Sequence, residues 1–509
     1  MSYLICDFMG DEHLENIAEN LVSQKKNKFK YLISHSIPNK NSKLSSLEHL
    51  DANFLYSAES LHELNKYFSL PIAELETNKK YLECMQTFLI CFDRTDPLGM
   101  STKEKINYFW NLLGFYDDYF NNRSDISSII FCNVPHMPWD IALFYYAKFN
   151  NLKTIFLRKT GIGGYLYIDE DFRPNKSKIN YSYSDVMTLN KHKQMTNISI
   201  NDLKEMNFTK GQVGGSWHAN EPFYRTTIKN IAKFIGLSNF LTTLRIISEG
   251  RPMIPNKASE ETRQISVFAA YRNFSWFDYL SIHFQYLSKI KKIKTYYESI
   301  ATKNIPNKKF VYVSLHLQPE RSTNPEGGHF DDQALMIKII SKSIPDDWCI
   351  LVKEHPKQFR YDLRTFHARS ISFYKSIERL ENVIFIESLF EQDKLIKSSE
   401  ITATVSGSVG WESLLQRKPS LIFSENWHSY CNASQYVYDL NSTKKAIKEY
   451  INMSSDDVED SLLNFIHDIA PSLMYGALNR NHVKFFIEPK NKELTISNVA
   501  NAIIERLEN

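Results

Sequence analysis

In the second half of the chain, polar residues stand directly after short apolar runs. The run FVYVSL is followed by His316, Gln318, Pro319, Glu320 and Arg321, and CILVK by Glu354-His355-Pro356. ITATV leads into Ser406-Gly407-Ser408-Val409-Gly410-Trp411-Glu412, VIFI into Glu387-Ser388, and SLIF into Ser424-Glu425-Asn426-Trp427. If these runs are adjacent parallel strands, such groups converge on one rim, beyond the carboxyl ends, where open sheets bind ligands.

The Ser406–Glu412 segment reads as a strand end, a turn of small residues and a helix start near Val409. Backbone N–H groups there face outward at the positive end of a helix dipole and suit a phosphate, with Ser406 and Ser408 adding hydroxyl donors. The alternative is that Ser408 only caps the helix. GxxxxGK[ST] is missing, so this is no Walker A loop. Pro356 stops its strand and keeps His355 extended, so His355 projects at the sheet edge. Its imidazole suits a phosphate or a leaving group, although a surface histidine without a ligand is the other reading. Glu320, ahead of Gly327-Gly328, suits a nucleophile, base or sugar ligand, or merely solvates its loop. His316 and His329 with Asp331 and Asp332 match no standard metal spacing, so no metal site is expected.

The first half offers Asp93 and Arg94 after TFLICF, His136 and Asp140 after SIIFC, and Arg158 after TIFL, as an opposite wall of a cleft. Asp140 opens a helix, where balancing the helix dipole would explain it equally well.

The elements that position these groups follow from periodicity. Strand-like runs at 3–6, 30–34, 87–92, 128–132 and 154–157 precede or alternate with helical stretches such as Trp139–Phe149. Residues 174–300 lack this rhythm and read as a helical insertion and connection. The rhythm returns with strands at 310–316, 349–353, 383–386, 401–405 and 420–423 and helices near 331–343, 391–399 and 409–417. An amphipathic helix at Ser497–Leu507 ends the chain. Strands alternating with helices predict parallel α/β structure.

Bulk properties narrow the class. Hydrophobic residues are 43%, charged residues 23%, and the net charge is +3, which excludes a wholly disordered chain and implies no nucleic-acid partner by itself. No run approaches the length of a membrane span, and the N-terminus reads as no secretory signal. Six scattered cysteines without CxxC read as buried reduced thiols, which fits a cytoplasmic location. Two basic runs, Lys25, Lys26, Lys28, Lys30 and Lys289, Lys291, Lys292, Lys294, read as solvated faces or as contacts with an anionic inner-membrane surface.

LHLQPERST, PEGGHFDDQ, LVKEHP and TVSGSVGWESLLQRKPSLIF together resemble the bacterial capsule polysaccharide biosynthesis family, which includes Kdo transferases. More broadly they resemble GT-B glycosyltransferases that use CMP-activated acidic sugars. The resemblance covers about 310–430 well, 128–172 weakly, and leaves 174–300 unmatched. It implies an α/β, GT-B-like fold in which two Rossmann-like domains face a cleft. Residues 1–173 would form the acceptor-side domain, 174–304 the helical insertion and connection, 305–480 the nucleotide-sugar domain, and 481–509 a C-terminal tail and helix. It implies transfer of Kdo or a related nonulosonate from a CMP-sugar to a glycan or glycolipid acceptor, with no cofactor beyond the donor and no obligatory metal. Gln318, Lys353, His355, Pro356, Ser406, Gly407, Ser408 and Glu412 would hold the nucleotide sugar. Glu320, His355 and Asp140 are the catalytic candidates, with Asp93, Arg94, His136 and Arg158 on the acceptor side. CDP-glycerol-type phosphotransfer, or a non-catalytic sugar-binding subunit of an export complex, are the alternatives. GSVGWE differs from the SS-containing turn of the former.

Overall fold

The computed structural model describes residues 1–56, 79–95, 100–171, 195, 197–207, 276–360, 365 and 367–508. The first lobe runs β1 (Ser2–Cys6), α1 (Glu12–Gln24), β2 (Phe29–Ser34), β3 (Glu48–Asp51), α2 (Lys79–Thr95), α3 (Thr102–Asn121), β4 (Ile126–Phe131), α4 (Pro138–Phe149), β5 (Lys153–Lys159) and β6 (Tyr165–Asp169). After α5 (Ile200–Glu205), α6 (Trp276–Ile300) leads into β7 (Ala301–Thr302). The second lobe continues with β8 (Phe310–Ser314), α7 (Gln333–Ser341), β9 (Cys349–Lys353), α8 (Ile371–Glu378), β10 (Val383–Ile386), α9 (Gln392–Ser398) and β11 (Ile401–Thr404). Next come α10 (Ser408–Leu415), β12 (Ser420–Ile422), β13 (Ser434–Tyr436), α11 (Leu440–Tyr450) and α12 (Ser455–Ile469). The chain ends with β14 (Met474–Tyr475), α13 (Arg480–Phe486) and α14 (Lys492–Glu508).

Two seven-stranded sheets result, in the orders β14-β6-β5-β4-β1-β2-β3 and β13-β12-β11-β8-β9-β10-β7. The second is parallel throughout; the first is parallel from β3 to β5, and β6 is antiparallel to both β5 and β14. Each is a doubly wound sheet, so the expected pair of Rossmann-like α/β domains is present. In each sheet the strand order reverses once, between β1 and β4 and between β8 and β11, and that reversal opens a crevice.

The strands are buried along most of their length: β1, β6 and β9 have no exposed position. Apolar clusters cover both faces of each sheet. A further cluster joins Ile162, Tyr165 and Tyr167 of the first lobe to Trp411, Leu414 and Trp427 of the second. Trp411 packs so closely on the backbone of Gly161 that a Cβ there would lie 2.6 Å from its ring. The chain returns to the first lobe at its end, since β14 pairs with β6 and α14 packs on α1. All six cysteines are free and buried.

One predicted element is wrong. The run TFLICF, read as a strand at 87–92, is the second half of helix α2. Cys84, Phe88, Cys91, Phe92 and Thr95 are all buried, a spacing of four, three, one and three that marks one helical face. A short apolar run fits either element, and here the longer window settles the matter. Asp93 and Arg94 therefore sit in the last turn of a helix and not at a strand end. Most of the expected 174–304 insertion lies outside the described residues; within it, α6 precedes the second lobe.

Candidate active site at the switch point of the second sheet

Because β8 lies between β11 and β9, the loops that follow these three strands meet. Those loops begin at Leu315, Glu354 and Val405, and each carries a group singled out in the sequence.

His316 is at the centre. Its ring is buried, and Nε2 accepts the Ser406 N–H at 3.2 Å and faces the Thr404 hydroxyl at 2.9 Å. Because Nε2 accepts the Ser406 N–H, a ring proton stands on Nδ1. Nδ1 in turn faces the Glu320 carboxylate at 3.8 Å. The Glu320 side chain is 49% exposed and so open to a ligand. Burial pushes its carboxyl up, but His316, His355 and the Ser322 hydroxyl outweigh that and hold it below the ordinary range. Glu320 is an ionised, accessible carboxylate at pH 7.

His355 caps the 3₁₀ turn Pro356–Phe359 in extended conformation, with Nδ1 accepting the Lys357 N–H at 3.2 Å. Its proton therefore sits on Nε2. Burial lowers its pKa to about 4, with Glu320 opposing and His316, Lys357 and Lys353 adding to the shift, so the ring is a neutral N–H donor at pH 7. Its backbone is anchored from behind by Glu354, which is fully buried and accepts the His355 N–H at 2.8 Å, Arg369 Nε at 2.7 Å and the Tyr374 hydroxyl at 2.6 Å. Arg369 also donates to the His316 carbonyl at 3.1 Å. One buried ion pair thus ties the β8 and β9 loops together. Gln318 and Gln358 do the same: the Gln318 N–H donates to Gln358 Oε1 at 2.7 Å, and Gln358 Nε2 donates to the Gln318 carbonyl at 3.1 Å. Gln318, a nucleotide-binding candidate, is buried in this staple.

The Ser-Gly-Ser turn begins α10 with Gly407 as N-cap, and Gly407 offers no side chain to cap it. Ser408 is therefore the first helical residue and not the cap. Gly407 is needed for space: a Cβ would lie 2.7 Å from Thr404 Oγ1 and 3.2 Å from His316 Cε1. Both serine hydroxyls are engaged within the protein. Ser406 Oγ donates to the Ser322 carbonyl at 2.6 Å, and the Ser408 hydroxyl bonds Glu412. The turn's remaining donors are backbone N–H groups, so its seat for an anion is the helix start and not the hydroxyls. Behind it, burial lowers Lys353 to about 8, opposed by Glu412, while burial raises the Glu412 carboxyl, opposed by Ser408 and by Gln392, whose Nε2 donates to it at 2.6 Å.

Across the cleft, the structure brings His136 and Arg94 together: the Arg94 guanidinium donates to the His136 carbonyl. Burial, then Arg94 and Arg321, holds the His136 imidazole well below its usual range. Asp140 is 5% exposed, and its Oδ1 accepts the His136 and Met137 N–H groups at 2.8 and 2.7 Å. It closes the start of α4, the simpler of its two readings. Asp93 pairs with Lys105 at 2.6 Å. Burial brings the Asp331 carboxyl of the second lobe up to about 6, with Arg369 and Gln318 opposing and Asp332 and Asp93 adding to the rise. Arg158 is not on an open wall. It is buried between Asp169 at 2.9 Å and Glu326 of the second lobe at 3.0 Å. Arg321 completes that clasp, reaching Glu326 at 3.0 Å and the Asn133 amide of the first lobe.

Arg369 was not singled out in the sequence, Glu326 only as part of PEGGHFDDQ, and His316, Arg321 and Glu354 stood at the rim without a binding or catalytic role. The available signal was position: His316 and Arg321 flank Glu320 at a strand end, and Glu354 adjoins His355. Among the described residues no three His, Cys, Asp or Glu side chains are grouped to hold a metal, and His316 is committed to Thr404 and Ser406.

No family model matches the chain, and no curated protein matches its sequence. Among solved structures it is similar to Thermosulfurimonas dismutans KpsC, a beta Kdo 2,7 transferase, at 9% identity over 72% of this chain and 83% of that one, with a TM-score of 0.29. It is also similar to the UDP-GlcNAc 2-epimerase from Methanocaldococcus jannaschii, at 12% identity over 89% and 93%, TM-score 0.24. A third is the wall teichoic acid polymerase TagF, at 12% identity over 100% and 90%, TM-score 0.22. At such values the functional reading rests on the chain's own residues.

Proposed function

We propose that this chain is a glycosyltransferase of bacterial surface polysaccharide synthesis that moves Kdo or a related nonulosonate from a CMP-sugar to a glycan or glycolipid acceptor. The observation that supports this reading most is the meeting of an ionised Glu320, a neutral His355 N–H donor and an uncapped helix start at one switch point.

A CMP donor carries one phosphate, and its negative charge grows as the bond to the anomeric carbon breaks. Donors already aimed at that oxygen stabilise the transition state more than the ground state. In this scheme the first N–H groups of α10 and the His355 imidazole supply such donors. With its pKa near 4, His355 acts first as a hydrogen-bond donor; an arriving phosphate raises its proton affinity as the charge develops. Glu320 is the nucleophile in this scheme. One carboxylate oxygen attacks the anomeric carbon as its bond to the phosphate oxygen breaks and CMP departs; an acceptor hydroxyl then displaces Glu320 as the free carboxylate, its proton passing to water, with overall retention. His316 acts through Glu320 by orienting it. Asp140, spent on capping α4, is the poorer acid–base candidate.

Titration calorimetry with CMP, CDP and UDP, followed by CMP release from CMP-Kdo, tests the proposal. It predicts tightest binding of CMP. UDP preference would overturn the donor, and turnover of CDP-glycerol but not of CMP-Kdo would replace sugar transfer by phosphotransfer.

A further inference from the structure

Helix α6 turns Tyr286, Ile290, Ile293 and Tyr297 into the second-lobe core. Its outer side is of a different kind. Phe284 is 68% exposed, and Lys291 and Lys292, two turns further on, are exposed as well. Between this helix and the start of α8 lies a cavity of about 690 Å³. Phe284, Ile293 and Ile371 give it apolar walls, while Lys289, Lys292 and Ser370 give it polar ones.

The two basic runs of the chain differ in their surroundings. In the first, Lys25 pairs with Glu508 at 2.6 Å and Lys30 with Asp125 at 2.7 Å. In the second, Lys294 pairs with Glu298 at 3.6 Å, and among the described residues no carboxylate lies within ion-pair distance of Lys291 or Lys292. Lys26 of the first run is exposed as well; what marks the second run is that its exposed lysines stand beside an exposed aromatic ring and an apolar hollow. Cationic side chains that face water beside an exposed aromatic ring suit an anionic membrane boundary. Lysines near an anionic bilayer are attracted within a Debye length.

We propose that the outer face of α6 docks on a membrane surface rich in anionic phospholipid. Phe284 enters the boundary between headgroups and acyl chains, Lys291 and Lys292 meet headgroup phosphates, and the hollow beside α8 admits part of one lipid. This docking is independent of the sugar donor and stands or falls apart from it.

Flotation of the full chain with vesicles tests the proposal. Vesicles of phosphatidylcholine alone are compared with vesicles containing phosphatidylglycerol, at low and at 0.5 M salt. Partitioning is expected only with phosphatidylglycerol and is expected to weaken with salt. Each of Lys291→Gln and Lys292→Gln should lower it about fivefold, and Phe284→Ser at least about tenfold. These side chains are exposed, so thermal melts should be unchanged and loss of binding cannot be loss of fold. Lys25→Gln with Lys26→Gln should leave partitioning as it was. Absence of binding to phosphatidylglycerol vesicles at low salt would overturn the proposal. So would loss of binding through the Lys25/Lys26 variant alone, or a Phe284-dependent dimer that ignores vesicles.

Discussion

Glu354→Gln probes how the site is held, and its cost follows from the geometry. The carboxylate is fully buried and accepts three hydrogen bonds, from His355 N–H, Arg369 Nε and the Tyr374 hydroxyl. The amide keeps the shape but turns one acceptor into a donor and leaves the Arg369 guanidinium without its buried counter-charge. Removing one member of a buried pair costs about 3–5 kcal/mol, most of it the penalty of the charge left behind. That is a large share of the roughly 5–15 kcal/mol by which a domain is stable. Urea unfolding followed by tryptophan fluorescence should show a lower midpoint for the second-lobe transition. Glu354→Gln with Arg369→Met should recover much of the loss, because the orphaned charge is gone. Nucleotide affinity should fall in the single variant too, since the His355 backbone loses its anchor. The reasoning fails if the single variant costs under about 1 kcal/mol, or if the double variant is as unstable as the two single losses added together.

Glu320→Gln should keep nucleotide affinity nearly intact while abolishing turnover, with a glycosyl adduct on Glu320 of the wild-type protein seen by mass spectrometry; substantial turnover in the variant would remove Glu320 as nucleophile. His355→Ala should weaken CMP binding by one to two decades in calorimetry, from a hydrogen bond worth about 1.5–3 kcal/mol. Acid should destabilise the fold. His355 titrates near 4 when folded and near ~6.5 when unfolded, so the unfolded chain takes up more protons between those values, and stability complete above about pH 6.5 is lost as pH falls towards 4. His355→Asn, which keeps an acceptor for the Lys357 N–H, should show a smaller drop in urea midpoint from pH 7 to pH 4.5 than the wild type; an equal drop would contradict the shift.

Much of the architecture was legible because its causes are local. A buried parallel strand needs a short apolar run, and the run must end where the chain leaves the sheet. The runs at 310–316, 349–353 and 401–405 therefore placed the ends of β8, β9 and β11 to within two residues. The residues beyond them, His355, Glu320 and Ser406–Ser408, were legible for the same reason. TFLICF failed by the same logic: a six-residue run with five apolar side chains does not carry enough period to separate a strand from a helix, and Cys84 and Thr95 on the buried face of α2 were the deciding context. What no local pattern holds is which distant groups meet. Sheet order put β11 beside β8, and so brought Ser406 onto His316 and His316 towards Glu320. Lobe packing took Arg158 from an open wall into a buried bridge with Glu326. The fold also placed Glu508 and Asp125 against the first basic run, leaving Lys291 and Lys292 of the second facing solvent. The side chains and their intrinsic chemistry are written in the sequence. Their partners, and therefore their charge and reach, come from contacts between segments far apart in the chain, which burial and strand pairing select.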